Sequence, residues 1–284
     1  MKRLQIKKTP KVFSGGAFIR SESGRVFPVR DEQGALLGHV PQCTRKDLRN
    51  AVESAAKAGA SWARRTPYNR AQILYRLAEM LESRSEELAR TLGGGEGATD
   101  EVAAAIDRVV YYAGWADKFE QVLGSVNPVA SPHFNFTVTE PMGVVGIISP
   151  DTPALLGLLS WIAPVIVSGN AVVALASETA PYPAIVLGEM LATSDLPAGV
   201  VNLLTGFRKE LIPTFATHEH LRALGGTVSS EGKAALEKGA AASVKRCHLQ
   251  RAEEPFDWRS EAAQSVYWIQ HYVEAKTVWH PIGS

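Results

Sequence analysis

The stretch that most constrains the fold is Glu140 to Glu178, EPMGVVGIISPDTPALLGLLSWIAPVIVSGNAVVALASE. Val144 to Ile148 is a short apolar run, rich in β-branched residues and bounded by Gly and Pro. Such a run suits a strand covered on both faces. Ser149-Pro150-Asp151-Thr152-Pro153 is a turn and helix start, with Thr152 placed to cap a helix whose first residue is Pro153. Ala154 to Val167 is the helix, Gly169-Asn170 stops it, and Ala171 to Leu175 returns as a second buried strand. Strand, helix and strand in this order form a βαβ unit, which commits the chain to a parallel sheet.

The flanks supply further elements. Residues 1–12 read as a loose arm. Gly15-Gly16, Ser23-Gly24 and Gln33-Gly34 are turn signals between short strands, an N-terminal hairpin layer on the outside of the domain. Thr44 and Asp47 have capping-box spacing, so a helix runs from there to about Ala60. Thr66-Pro67 starts a second helix that carries Ile73, Leu74, Leu77 and Leu81 on one face and ends near Gly93. Gly93 to Ala98 has the literal GxGxxA spacing of a phosphate loop. It follows a helix rather than a strand, so it is read as an interhelical turn before a Thr99-Asp100 cap and a helix to Val122. His133 to Glu140 alternates with period two, as a half-exposed strand does. Beyond the central unit come a helix (Pro181–Ala192), a strand (Val200–Leu204), a helix (Glu210–His218) and a strand (Leu221–Leu224) ending in Gly225-Gly226-Thr227. A helix (Glu231–Ala241) and a last parallel strand (Val244–Leu249) follow. The character turns polar at Gln250. A helix with Trp268 and Ile269 on its apolar side and a terminal strand from Lys276 then close the chain.

Charge narrows the partners. Thirty basic residues face twenty-nine acidic ones among 284, so no nucleic acid and no anionic membrane is expected as a partner. The start lacks the apolar core of a signal peptide, and Ala154–Val167 is too short to span a bilayer. Cys43 and Cys247 form no CxxC pair, which points to a reducing, cytoplasmic setting and to no metal site.

The phrases EPMGVVGIISP, APVIVSGNAVV and SE, then DLPAGVVNLLTG from Asp195 to Gly206, closely resemble the cofactor-domain signature of the NAD(P)-dependent aldehyde dehydrogenases. SESGRVFPV near the start and EAKTVW near the end extend the resemblance over most of the chain. It implies an α/β fold: a doubly wound, Rossmann-like parallel sheet with a small β oligomerisation element, and no catalytic domain. The implied division is residues 1–124 for N-terminal hairpins and helices, 125–140 for an oligomerisation hairpin, 141–250 for the Rossmann-like domain, and 251–284 for a helix and a C-terminal oligomerisation strand.

The resemblance also implies a chemistry: a cysteine thiolate attacks the aldehyde, hydride passes to nicotinamide, and water hydrolyses the thioester. This sequence departs from that pattern at each working position. The oxyanion asparagine has Thr152 as its nearest match, in a Ser149-Pro150-Asp151-Thr152 turn, where a helix cap is the favoured reading. The ribose-binding Lys-Pro-Ser-Glu becomes Leu175-Ala176-Ser177-Glu178. Glu178 can still accept from a ribose hydroxyl, and a solvated surface carboxylate is an equal reading. The pyrophosphate turn becomes Leu224-Gly225-Gly226-Thr227, where Gly226 and Thr227 either hold an anion at a helix start or form a plain turn. Gln250 stands where the general-base glutamate belongs, and Cys247 and Cys43 match no catalytic phrase. The expected site is therefore a degenerate cofactor site of Ser149, Pro150, Thr152, Glu178, Gly226 and Thr227, with no catalytic residue and with no bound NAD(P) or only weak binding.

The reading that follows is a pseudoenzyme similar to the degenerate second module of two-module aldehyde dehydrogenases. It would serve as a structural or regulatory subunit, in a homo- or hetero-oligomer with a full-length aldehyde dehydrogenase. The alternatives are a nucleotide-binding module and a component of an active oxidoreductase completed by a partner chain.

Overall fold

The computed structural model describes residues 8–31 and 33–283. Two hairpins open the chain: β1 (Val12–Ser14) with β2 (Ala17–Ile19), and β3 (Val26–Arg30) with β4 (Leu36–Pro41). Helices follow as α1 (Arg45–Ala63), α2 (Pro67–Ser83), α3 (Ser85–Thr91), α4 (Glu96–Trp115) and α5 (Phe119–Leu123). Strands β5 (Ser125–Asn127) and β6 (His133–Pro141) lead into the alternating region. That region is β7 (Val144–Ile148), α6 (Leu156–Val167), β8 (Ala171–Leu175), α7 (Tyr182–Leu191), β9 (Val201–Leu204), α8 (Arg208–Thr217), β10 (Leu221–Val228), α9 (Ser230–Ala241) and β11 (Arg246–Arg251). A 3₁₀ turn (Glu261–Ala263), α10 (Val266–Gln270) and β12 (Val273–Pro281) follow.

The main sheet has seven strands in the order β11-β10-β7-β8-β9-β1-β2. The first five run parallel. The β1-β2 hairpin adds to this sheet antiparallel at β9, instead of forming a separate outer layer as the turn signals imply. Alternate residues of a strand serve opposite faces. Val172 and Ala174 therefore join the core under α2, α4 and α6, while Val173 and Leu175 join the core under α1, α8 and α9. Helices cover both faces, which is why β7 and β8 are apolar throughout. A second sheet has three strands in the order β12-β6-β5, and β12 pairs with β6 from Val273↔Pro141 to Pro281↔His133.

Several boundaries differ from the sequence reading, each for a local reason. The Thr44–Asp47 capping box forms as expected; Asp47 also takes the Ser21 hydroxyl and the Glu22 amide, at 2.8 and 2.9 Å, which ties the β2–β3 turn to α1. The helix expected to end near Gly93 breaks at Arg84 into α2 and α3. Gly93, Gly94 and Gly95 all have positive φ, and α4 starts directly after them at Glu96; Thr99 lies inside it and is no cap. Helix α6 starts at Leu156 rather than Pro153, and Thr152 does not cap it. The Leu155 and Leu156 amides are met instead by Glu101 of α4, at 2.8 and 3.2 Å. At the other end the Ile166 and Val167 carbonyls accept from Trp62 and Arg70, at 2.8 and 3.0 Å. Strand β10 continues through Val228, so Gly225, Gly226 and Thr227 lie within a strand and not at a helix start. The expected N-terminal arm falls mostly on residues 1–7, outside the described residues; Lys8 is ion-paired with Glu189.

Residues 252–272 carry the chain from β11 to β12 and pack as core. Trp258, Ala263, Val266, Trp268, Ile269 and Tyr272 are buried with α4 and α6 in one cluster. Arg108, itself buried, donates to the Trp258 and Ala263 carbonyls and to the Ser160 hydroxyl, and so staples this segment to α4 and α6. Among the described residues no helix is long and apolar enough to cross a membrane.

Candidate functional site

The order of the main sheet reverses between β7 and β10: the chain steps from β7 outward through β8 to β9, then returns to the other side of β7. In sheets of this kind a ligand crevice lies outside the carboxyl ends of the strands at such a reversal. Here that rule marks the ends of β7 and β10; the segments after β7, β8 and β9 carry the charged groups beside them.

They are bound to one another. Asp151, after β7, accepts from the Glu178 amide at 2.8 Å, the Ser177 hydroxyl at 3.1 Å and Arg208 Nη2 at 2.9 Å. Arg208 Nη1 is ion-paired with the second oxygen of the same carboxylate. Arg208 Nη2 also donates to the Ser149 carbonyl at 2.8 Å, and the Arg208 amide donates to Glu178 Oε2 at 2.9 Å. The guanidinium thus binds the end of β7 directly, and Asp151 and the Arg208 amide extend the network to the end of β8; the side chains are only 20% exposed for Arg208 and 34% for Asp151. Burial by itself raises the Asp151 carboxyl. The Arg208 hydrogen bond and charge, with the Glu178 and Thr179 amides, outweigh this and hold it below the ordinary carboxylate value.

The expected site residues divide. Ser149 and Glu178 belong to this network. The Ser149 side chain is fully buried and donates to the Pro150 carbonyl at 3.1 Å. The Pro150 ring packs on Gly157 of α6, where an added Cβ would lie 2.3 Å from the ring. Thr152 is exposed, and its hydroxyl has no hydrogen bond among the described residues. Gly226 passes so near Ile148 that a Cβ would sit 2.2 Å from the Ile148 carbonyl oxygen. The Thr227 hydroxyl accepts from Trp161 Nε1 at 3.3 Å and donates to Gln250 Oε1 at 3.4 Å. Gly226 and Thr227 thus lie in the last residues of β10, just before the Ser229 cap of α9, and are engaged with Ile148 of β7, Trp161 of α6 and Gln250 of β11. Leu175, at the ribose-lysine position, is fully buried beneath α1 and α8.

No nucleophile is prepared. Cys43 is fully buried, and its amide donates to the Thr205 carbonyl. Burial, and secondarily the Asp47 charge, push its thiol up to about 12. Burial also raises the Cys247 thiol. Cys247 packs toward the α8–α9 face, while His248 packs on Trp161 of the other, so the two do not meet. The His248 ring stacks on His271 at 3.6 Å, and burial, then the His271 charge, lower its pKa to about 4. Trp161, Trp258 and Trp268 cluster with centroids 4.7 to 6.4 Å apart, beside Thr227 and Gln250. Among the described residues no group of three His, Cys, Asp or Glu is placed to hold a metal ion.

Sequence reasoning missed Arg208 and Glu101. A signal for Arg208 existed: it stands two residues after Gly206, at the start of the helix that leaves a parallel strand. Glu101 had none, because its partners lie across the helix interface.

Residues 18–252 match the sequence profile of the aldehyde dehydrogenase family. A putative aldehyde dehydrogenase, DhaS, of Bacillus subtilis is 32% identical over 260 residues, covering 88% of this chain and 52% of that protein. Mouse retinal dehydrogenase 2 is 34% identical over 259 residues, with 87% and 49% covered. Among solved structures, HpcC from Thermus thermophilus superimposes with a TM-score of 0.80 at 31% identity, over 85% of this chain and 48% of that one. The NAD+ complex of a Bacillus cereus aldehyde dehydrogenase gives 0.78 at 27% identity, over 86% and 51%. The chain spans about half the length of the relatives it matches.

Proposed function

The chain belongs to the aldehyde dehydrogenase family, and on that premise we propose that it is a non-catalytic member, a structural or regulatory subunit that assembles with a catalytically complete aldehyde dehydrogenase. It resembles the degenerate second module of two-module enzymes, here as a separate chain. The observation that carries this reading is the course of residues 252–272. They run directly from β11 to β12 and fill the core with Trp258, Trp268 and Ile269, so no cysteine-bearing domain is inserted between the two sheets.

The site chemistry supports it. Covalent aldehyde oxidation needs a thiolate and a base. Both thiols are shifted toward the neutral form, and the Gln250 side chain, hydrogen-bonded to Thr227, cannot take a proton. The small sheet supports the assembly half. β12 forms an edge of it, and Val126, Phe134, Trp279 and Ile282 on and beside it are exposed. An open apolar edge is a template for a further strand. NAD(P) binding is weak or absent in this reading.

The test is direct. The purified chain is assayed for NAD(P)H formation at 340 nm with short aliphatic and aromatic aldehydes, then mixed with a full-length aldehyde dehydrogenase from the same cell and followed by light scattering. No turnover together with a defined hetero-complex is expected. Turnover lost on Cys43→Ala or Cys247→Ala would overturn the non-catalytic half, and two unmixed species would overturn the subunit half.

A further inference from the structure

The loops after β7 and β8 close on a cation that belongs to the chain itself, Arg208, and this deepens the reading above, on which it rests. We propose that Arg208 is an internal plug: its side chain occupies the nucleotide crevice in place of a ligand, and a nucleotide enters only when the Asp151–Arg208 pair opens.

Three observations carry the proposal. First, the polar groups that a ribose or pyrophosphate would need are already used: Asp151 accepts from Arg208 and from the Glu178 amide, Glu178 accepts from the Arg208 amide, and the Ser149 carbonyl accepts from Arg208 Nη2. Second, both oxygens of Asp151 and the Ser149 carbonyl, all at the end of β7, meet this one side chain, a bidentate arrangement that fixes a guanidinium in place. Third, Arg208 Nε is buried without a hydrogen-bond partner. A buried donor left unmet is costly. The side chain accepts this cost to reach Asp151, as expected if the ion pair, and not solvation, sets its position.

Charge then decides what the plug excludes. Asp151 and Glu178 are two carboxylates against one guanidinium. A pyrophosphate that drew Arg208 to itself would leave Asp151 uncompensated in a half-buried site, where separating such a pair is costly. A ligand is therefore not excluded for want of room alone; it must also break the pair. Removing both partners together takes the plug away without leaving a bare charge.

The experiment uses the full chain and three variants: Arg208→Ala, Asp151→Asn, and the double variant Asp151→Asn/Arg208→Ala. ADP-ribose and NAD+ are titrated into each by calorimetry, and folding is checked by thermal melting. ADP-ribose is expected to bind the double variant at least about tenfold more tightly than the wild-type chain. Asp151→Asn, which keeps the arginine but weakens its hold, is expected to fall between them. A folded variant, double or Asp151→Asn, that binds ADP-ribose no better than the wild-type chain at millimolar concentration overturns the plug. So does tight wild-type binding unchanged by Arg208→Ala. Aldehyde turnover by the wild-type chain would instead overturn the non-catalytic reading, so the two failures are separable.

Discussion

Cys43 lies under the Thr205 carbonyl, with no exposed surface and a thiol pushed up to about 12. An unburied cysteine ionises near pH 9.0. Above that value the unfolded chain gains by ionising and the folded chain does not. The stability this residue contributes is therefore complete below about pH 9 and lost as pH rises toward 12, by up to ~1.4 kcal/mol per pH unit. Urea midpoints of the wild-type chain should fall from pH 9 to 10.5 more steeply than those of Cys43→Ala, and parallel curves would remove Cys43 from the account. Gly226 gives a second residue-level expectation. Its φ is +136°, and an added Cβ would overlap the Ile148 carbonyl. Gly226→Ala should cost about 1–3 kcal/mol or more by chemical denaturation; a neutral result would mean that β7 and β10 separate easily at this point. At this scale the sequence was only partly legible. Ser149 and Glu178 were named through the family resemblance, whose phrases fall at the ends of the apolar strands. Asp151 with Arg208 could not be found, because an ion pair between residues so far apart depends on how two loops meet.

Elements were more legible where the cause is local. The Thr44 and Thr66 caps and the buried runs of β7 and β8 follow from neighbouring residues, and they stand where the pattern put them. Elements whose ends depend on tertiary partners were misplaced. Helix α6 begins where Glu101 meets its amides, and β10 extends because β7 and β11 pair with it through Gly226. The segment 252–272 shows the same dependence. It has little regular structure of its own and is held by the Arg108 staple. Arg108→Met should leave the Trp258 and Ala263 carbonyls unmet and cost about 2–4 kcal/mol. Tryptophan emission should shift to the red at lower urea than in the wild-type chain. An unchanged transition would mean that apolar packing alone holds the segment.

At the scale of the whole molecule, the seven-stranded and three-stranded sheets have different tasks in the proposed reading: the large one builds the body, and the three-stranded one meets a partner. Deleting Lys276–Ser284 should leave the main sheet folded, with native far-ultraviolet circular dichroism, and abolish the hetero-complex seen by light scattering. A truncated, folded chain that still assembles would move the interface elsewhere. The small sheet also constrains the order in which the molecule can be made. Strand β6, residues 133–141, pairs with residues 273–281, and the ribosome delivers these only after the whole alternating region. During vectorial synthesis β6 therefore emerges with its longest partner still unmade. Its alternating HFNFTVTE surface is exposed in the nascent chain until translation has passed β12, an interval in which a chaperone or a neighbouring nascent subunit can reach it first.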